Sequence, residues 1–447
     1  MTLSPSPVLL VPLHGIGSRH DLPLPFSFVV VGAALALVIS FLLLFLAWRT
    51  PRFTQVEGTS LPFLTRIVDH PAFRPVARLV VLAVYLWAGL ALFAGKDLLT
   101  NPVFGFVYAW MWVGLVPLSL LLGPFWRVTN PLRTIHSGLC RIARIDPEQG
   151  LVALPAKVGL WPAAIGLFGF GWLELVQPDR TTLPVLRFWA LAWIVTLVIG
   201  AVIFGQRWIA AADPFETYAS AVAQVSPWRH SDGEVKLVNP LAGLNAWTPP
   251  VGAAAVVSVL LGNTAFDSFA NTSWWIRTVQ NSALSPTLWA TFGLLIMILI
   301  VFVTFELSTR WMIRYAADPK ARARDMPRLM AGSVVPIAIG YAVAHYATLL
   351  IVEGQRTAIQ MSDPLGRGWN VFGSAEMGVN SSIFDYPTVT AMIQLIAIVG
   401  GHIVGIVSAH EKSLTILRPE RSLIGQLPLL LVMIFYTCSG LLLLFSP

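Results

Sequence analysis

The chain alternates long apolar runs, almost free of charge, with short polar segments in which most of its basic residues sit. Crossing roughly 30 Å of hydrocarbon takes about 20 helical residues, so each long run predicts a membrane-spanning helix. The runs fall at residues 28–48, 79–95, 103–122, 159–176, 188–204, 251–266, 288–305, 329–352, 389–407 and 424–445. The expected fold is all-α, a polytopic transmembrane helix bundle of about ten spans forming one integral membrane domain. Lys and Arg concentrate in cytoplasmic loops. With the N-terminus outside, alternate segments assign 22 of the 29 basic residues to the cytoplasm. Arg19, Lys96, Arg180, Arg187, Arg277, Arg356 and Arg367 are left outside. Both termini are therefore expected to be extracytoplasmic.

Composition agrees: 56% of residues are hydrophobic and 11% charged, with a mean hydropathy of +0.73, whereas soluble domains carry about 25% charged residues. The formal charge of +7 is spread over short loops and reports topology, so no nucleic acid partner is expected. The expected partner is the lipid bilayer, and the expected location the cell membrane of a bacterium. Met1 to Pro12 lacks the basic start and small-residue cleavage site of a signal peptide. Cys140 and Cys438 fall in different environments and predict no disulfide.

Two cytoplasmic segments read as short helices lying along the membrane. Asn130-Pro131 offers a cap and a first-turn proline, followed by Leu132, Ile135, Leu139 and Ile142 at helical spacing. Asp213-Pro214-Phe215-Glu216 has capping-box spacing, so Glu216 is expected to reach back to the cap. Both are expected to be scaffold. No internal repeat is apparent, although five spans followed by five would place the halves in opposite orientations, as in inverted-repeat transporters. The outer loop at 353–387 is long enough to act as a cover over a site.

Ionisable groups at membrane depth are costly and are the first place to look for function. Glu174, Asp267, His345 and Glu353 lie toward the outer ends of their spans, and Glu353 follows His345 by about two turns on nearly the same face. A histidine with carboxylates can hold a divalent metal such as zinc and activate a bound water. His14, His20 and Asp21 would add ligands if their segment folds back. The bland alternative is that His345 hydrogen-bonds within the bundle and the carboxylates sit among headgroups. In the ninth span, Gly400-Gly401-His402 with Gly405 suggests close helix packing, with His402 bonding across the contact or marking a proton path. His410 and Glu411 read as solvated. Pro117 and Pro336 read as kinks beside a cavity. Trp274, Trp275 and Trp369 read as an interfacial belt, or else as a stacking wall for a small apolar substrate.

His14-Gly15-Ile16-Gly17 leading to Asp21-Leu22-Pro23-Leu24-Pro25, then Gly340-Tyr341-Ala342-Val343-Ala344-His345-Tyr346, and Ser362-Asp363-Pro364 with Gly368-Trp369 resemble a family of multi-pass bacterial membrane proteins, some named fenitrothion hydrolase. The resemblance implies a membrane-bound organophosphate hydrolase working with a second membrane subunit. The site expected for it is a metal-bound water near His345, Glu353 and Asp267. The alternatives are a proton- or cation-coupled transporter or channel using the same residues, and a noncatalytic scaffold of a membrane complex.

Overall fold

The computed structural model describes residues 21–54 and 56–445. Among these, eight helices are long and apolar enough to cross a membrane, and a ninth span results if the bent pair Pro102–Val113 and Leu115–Leu122 is taken together. The helices used below are α1 (Phe26–Ala47), α2 (Phe73–Ala94), α3 (Pro102–Val113 with Leu115–Leu122), α4 (Phe125–Thr129) and α5 (Pro131–Ala143). Next come α6 (Trp161–Leu175), α7 (Leu183–Phe204), α8 (Gln206–Ala212) and α9 (Pro214–Val222). The last five are α10 (Ala253–Ala270), α11 (Pro286–Trp311), α12 (Val335–Gln360), α13 (Pro387–Ile416) and α14 (Ser422–Leu444). A helix lies at every predicted span. The fourth, α6, has only 15 residues, about 22 Å of helix, less than a full crossing.

Several expectations change. The bend in α3 is 42° and falls at Gly114 after π-helical turns from Phe106 to Val113, ahead of Pro117. Pro336 occupies the first turn of α12, where proline fits without a kink. The helix then runs on to Gln360, so Glu353 lies within it and the loop expected to begin at 353 begins at residue 361. Beside the helices stands a small antiparallel sheet in the order β1-β3-β2, formed by β1 (Gly58–Ser60), β2 (Trp228–Ser231) and β3 (Glu234–Val238). Asp232 and Gly233 join β2 to β3 with φ of 55° and 75°, as a two-residue hairpin requires.

The two Asx-Pro helices do not simply skirt the bundle. After α7 the chain turns at Gly205 and α8 doubles back: Trp208 stacks on Phe204 at 5.5 Å, and its indole N–H donates to Thr196 O at 3.0 Å. Ala212 joins Leu197 and Leu132 in one buried cluster, with Trp193 packed against it. Asp213 and Asn130 are thus level with the middle of α7. Asn130 caps α5, its side chain accepting from Leu132 N and Arg133 N. Asp213 caps α9, accepting from Phe215 N at 3.0 Å. Glu216 does not return to its cap and instead receives Arg133 from both sides, Nε and Nη2 each at 2.6 Å. On α5, Leu132, Arg133 and His136 are buried while Ile135, Leu139 and Ile142 are exposed, so the stripe faces away from the bundle except at Leu132.

These hairpins reveal a repeat. Gly123-x-x-Trp126 leads to Asn130-Pro131-Leu132-Arg133-Thr134, and Gly205-x-x-Trp208 leads to Asp213-Pro214-Phe215-Glu216-Thr217. The two glycines adopt φ of 71° and 72°, a conformation that only glycine takes readily. The packing repeats too: α2 lies on α4 and α5 as α6 lies on α8 and α9, and α5 packs on α7 as α9 packs on α3.

α12 and α13 touch along their length because glycines remove the side chains between them. A Cβ on Gly401 would come 2.6 Å from Pro336 O, and one on Gly405 2.8 Å from Ser333 O. Close packing is found at Gly401 and Gly405, whereas a Cβ on Gly400 would meet nothing within 4 Å. His402, however, bonds Ile398 O of its own helix at 2.8 Å and does not reach across. His410 and Glu411 are also not solvated: they are 2% and 1% exposed. The glutamate accepts from Trp48 Nε1, Arg52 N and Phe53 N.

Candidate functional site

α10 is the most enclosed of the long apolar helices, lying between α6, α11 and α12. Near its end Asp267, 5% exposed, meets His345 of α12, 1% exposed, with Oδ2 and Nε2 2.8 Å apart. The Tyr346 hydroxyl donates to the same carboxylate oxygen at 3.1 Å. On the other side of the imidazole, Ser268 Oγ lies 3.4 Å from Nδ1 and 3.1 Å from the Tyr341 hydroxyl. Tyr341 and His345 are four residues apart and share a helix face. Gln394 of α13 fixes the backbone beside them, donating to Ala344 O at 2.9 Å.

Glu174 lies close enough for its charge to act on the hydroxyls of Tyr108, Tyr218 and Tyr346. Glu353 is paired with Arg356 of its own helix, at 3.4 Å. Leu22, in the segment entering α1, belongs to the same buried cluster as Ala344, the residue before His345. His14 and His20 lie outside the described residues. Among the described residues no three His, Cys, Asp or Glu side chains stand together as a metal site. Asp267 and His345 could supply two of the three ligands that a catalytic zinc takes from the protein, and His14 and His20, the other histidines of the expected set, are not among the described residues.

Chemically, the arrangement is suited to moving a proton. Carboxylate, imidazole and hydroxyl groups can each take up and release a proton, and here they stand within hydrogen-bond reach of one another. Tyr346, Ser268 and Tyr341 extend the hydrogen-bond chain. None of these three was selected from sequence, although Ser268 adjoins Asp267 and Tyr341 stands one turn before His345. The aromatic candidates divide: Trp275 is buried against Phe266, while Trp274 and Trp369 stay exposed. Comparison with models of protein families, with curated proteins and with solved structures finds no match.

In the loop after α12, Asp363 Oδ1 accepts from Arg367 N at 2.9 Å and Oδ2 from Gly368 N at 2.6 Å. Slight burial opposes ionisation, but backbone N–H groups of Arg367, Gly368, Trp369 and Gly366 outweigh it and hold the carboxyl below its ordinary value. A depressed folded-state pKa stabilises above the unfolded value, near 4, and that contribution is lost as pH falls through the folded value. Limited proteolysis of the loop is therefore expected to be slow at pH 7 and faster below about pH 4. Asp363→Asn should cleave faster at pH 7 and lose most of this pH dependence.

Proposed function

We propose that this is an integral protein of the cell membrane, crossing it ten times with both termini outside. We further propose that it couples proton movement to passage of a solute through the bundle. The observation carrying the second reading is the Asp267–His345 pair, held at 2.8 Å and almost wholly buried between two helices that are each long and apolar enough to cross a membrane. Such groups are retained at that depth for relays and coupling sites.

The test is proton flux in liposomes containing the purified protein, a trapped pH dye and an imposed potassium diffusion potential. Wild type should acidify the lumen, and Asp267→Asn, which keeps the shape of the side chain, should slow this by at least about tenfold. No wild-type flux above empty liposomes, or equal flux in the variant, would sink the proposal. Turnover of a chromogenic phosphotriester that His345→Ala abolishes would instead favour the organophosphate hydrolase implied by the resemblance.

A further inference from the structure

A second buried charged cluster lies where the two repeats meet, apart from Asp267 and His345. Arg133, Asp213 and Glu216 are 8%, 0% and 2% exposed. Each is fully engaged. Besides its two bonds to Glu216, Arg133 donates through Nη1 to Gln206 Oε1 at 3.0 Å. Asn130 Nδ2 reaches Asp213 Oδ2 at 2.7 Å and Glu216 Oε2 at 3.2 Å, and the Trp126 indole N–H donates to Asp213 Oδ2 at 3.3 Å. Both α5 and α9 point their N-termini here, each contributing about half a positive charge.

The partners come from equivalent places. Arg133 and Glu216 each stand three residues after the Asx cap of their hairpin, so the ion pair straddles the pseudo-twofold relation between the two repeats. Each hairpin leaves its long helix through a positive-φ glycine, Gly123 or Gly205. A rotation of one repeat against the other would have to part the tips. The cluster also connects toward the first site: Tyr218 of α9 packs on Trp112 at 5.1 Å, and Trp112 lies beside the Tyr346 hydroxyl.

We infer that this junction is the inner gate of the proton and solute path, and that the Arg133–Glu216 ion pair is the latch holding it shut. Its role as a gate rests on the transport reading; the latch is testable without flux. Thr217, adjacent to the pair, is 6% exposed, and its Oγ1 has no hydrogen-bond partner among the described residues. Thr217→Cys in a Cys140→Ser, Cys438→Ser background therefore reports opening through labelling by a water-soluble maleimide.

With the latch intact, labelling should be slow. Glu216→Gln and Arg133→Gln should each raise the rate at least about tenfold, as expected when a buried pair loses one partner. The exchange Arg133→Glu with Glu216→Arg should return it toward the starting value. Equal rates in folded Glu216→Gln and its parent would overturn the latch, as would an exchange no better than the single changes. Should the single variants fail to fold, recovery of folded protein and slow labelling by the exchange supports the pair, and no recovery rejects it. Faster labelling without proton flux in wild type leaves the latch and removes transport. Flux with unchanged labelling does the reverse.

Discussion

Gly340→Val is expected to abolish assembly of the bundle, yielding little or no monodisperse protein in detergent. A Cβ at this position would strike the carbonyl oxygen of Ala397, which belongs to the backbone of α13 and cannot rotate away. The facing glycine is equally constrained, since a Cβ on Gly401 would lie 3.3 Å from the Gly340 Cα. Overpacking a core usually costs about 1–3 kcal/mol, and more where backbone must shift. Here the helices would have to separate, breaking the Gln394 bond to Ala344 O and displacing His345 from Asp267. Gly400→Ala is the control, because a Cβ there meets nothing within 4 Å and alanine favours helix. Size-exclusion profiles and thermal melts separate the two. A Gly340→Val protein melting within a few degrees of wild type would show that the close helix approach is not required.

The glycine contact was legible because small residues spaced along an apolar run have few other uses, and the long spans were legible because lipid-facing helices must be apolar nearly throughout. α10 shows where that signal weakens: 83% of its apolar window is buried by protein, so polar Ser258, Asn263 and Asp267 can occupy it. Sequence placed Asp267 and His345 among the candidates, but their meeting across 78 positions is a property of packing. Glu353 fitted the same reasoning by helical angle and pairs with Arg356 of its own helix. The hairpins were missed because α8 and α4, with seven and five residues, are too short to show periodicity. Capping-box spacing puts Glu216 at its own helix cap, because local spacing cannot reveal an ion pair with Arg133, 83 residues away. The small sheet had a usable signal in Asp232-Gly233, a strong two-residue hairpin pair, hidden within a segment read as cytoplasmic loop.

Glu411→Ala should produce the other large effect, a loss of about 3 kcal/mol or more, estimated from the cost of leaving buried donors unsatisfied. The carboxylate receives Trp48 Nε1 at 2.9 Å and the backbone N–H groups of Arg52 and Phe53 at 2.6 Å each. Alanine would strand all three. Neighbouring His410 ties the same turn, its Nε2 2.8 Å from Trp48 O and its Nδ1 3.0 Å from Gln426 Oε1 of α14. The end of α1 is thus fastened to α13 and α14 through two adjacent side chains that sequence alone left in solvent. Glu411→Gln retains an acceptor for some of these donors and should recover part of the loss. Exposed Glu420→Ala should stay within about 0.5 kcal/mol of wild type, as surface changes usually do. Thermal unfolding followed by tryptophan fluorescence ranks the three variants. If Glu411→Ala and Glu420→Ala melt together, the carboxylate does not anchor the end of α1. If the melts separate with glutamine between them, the hydrogen bonds set the order, because alanine removes them all while glutamine keeps some.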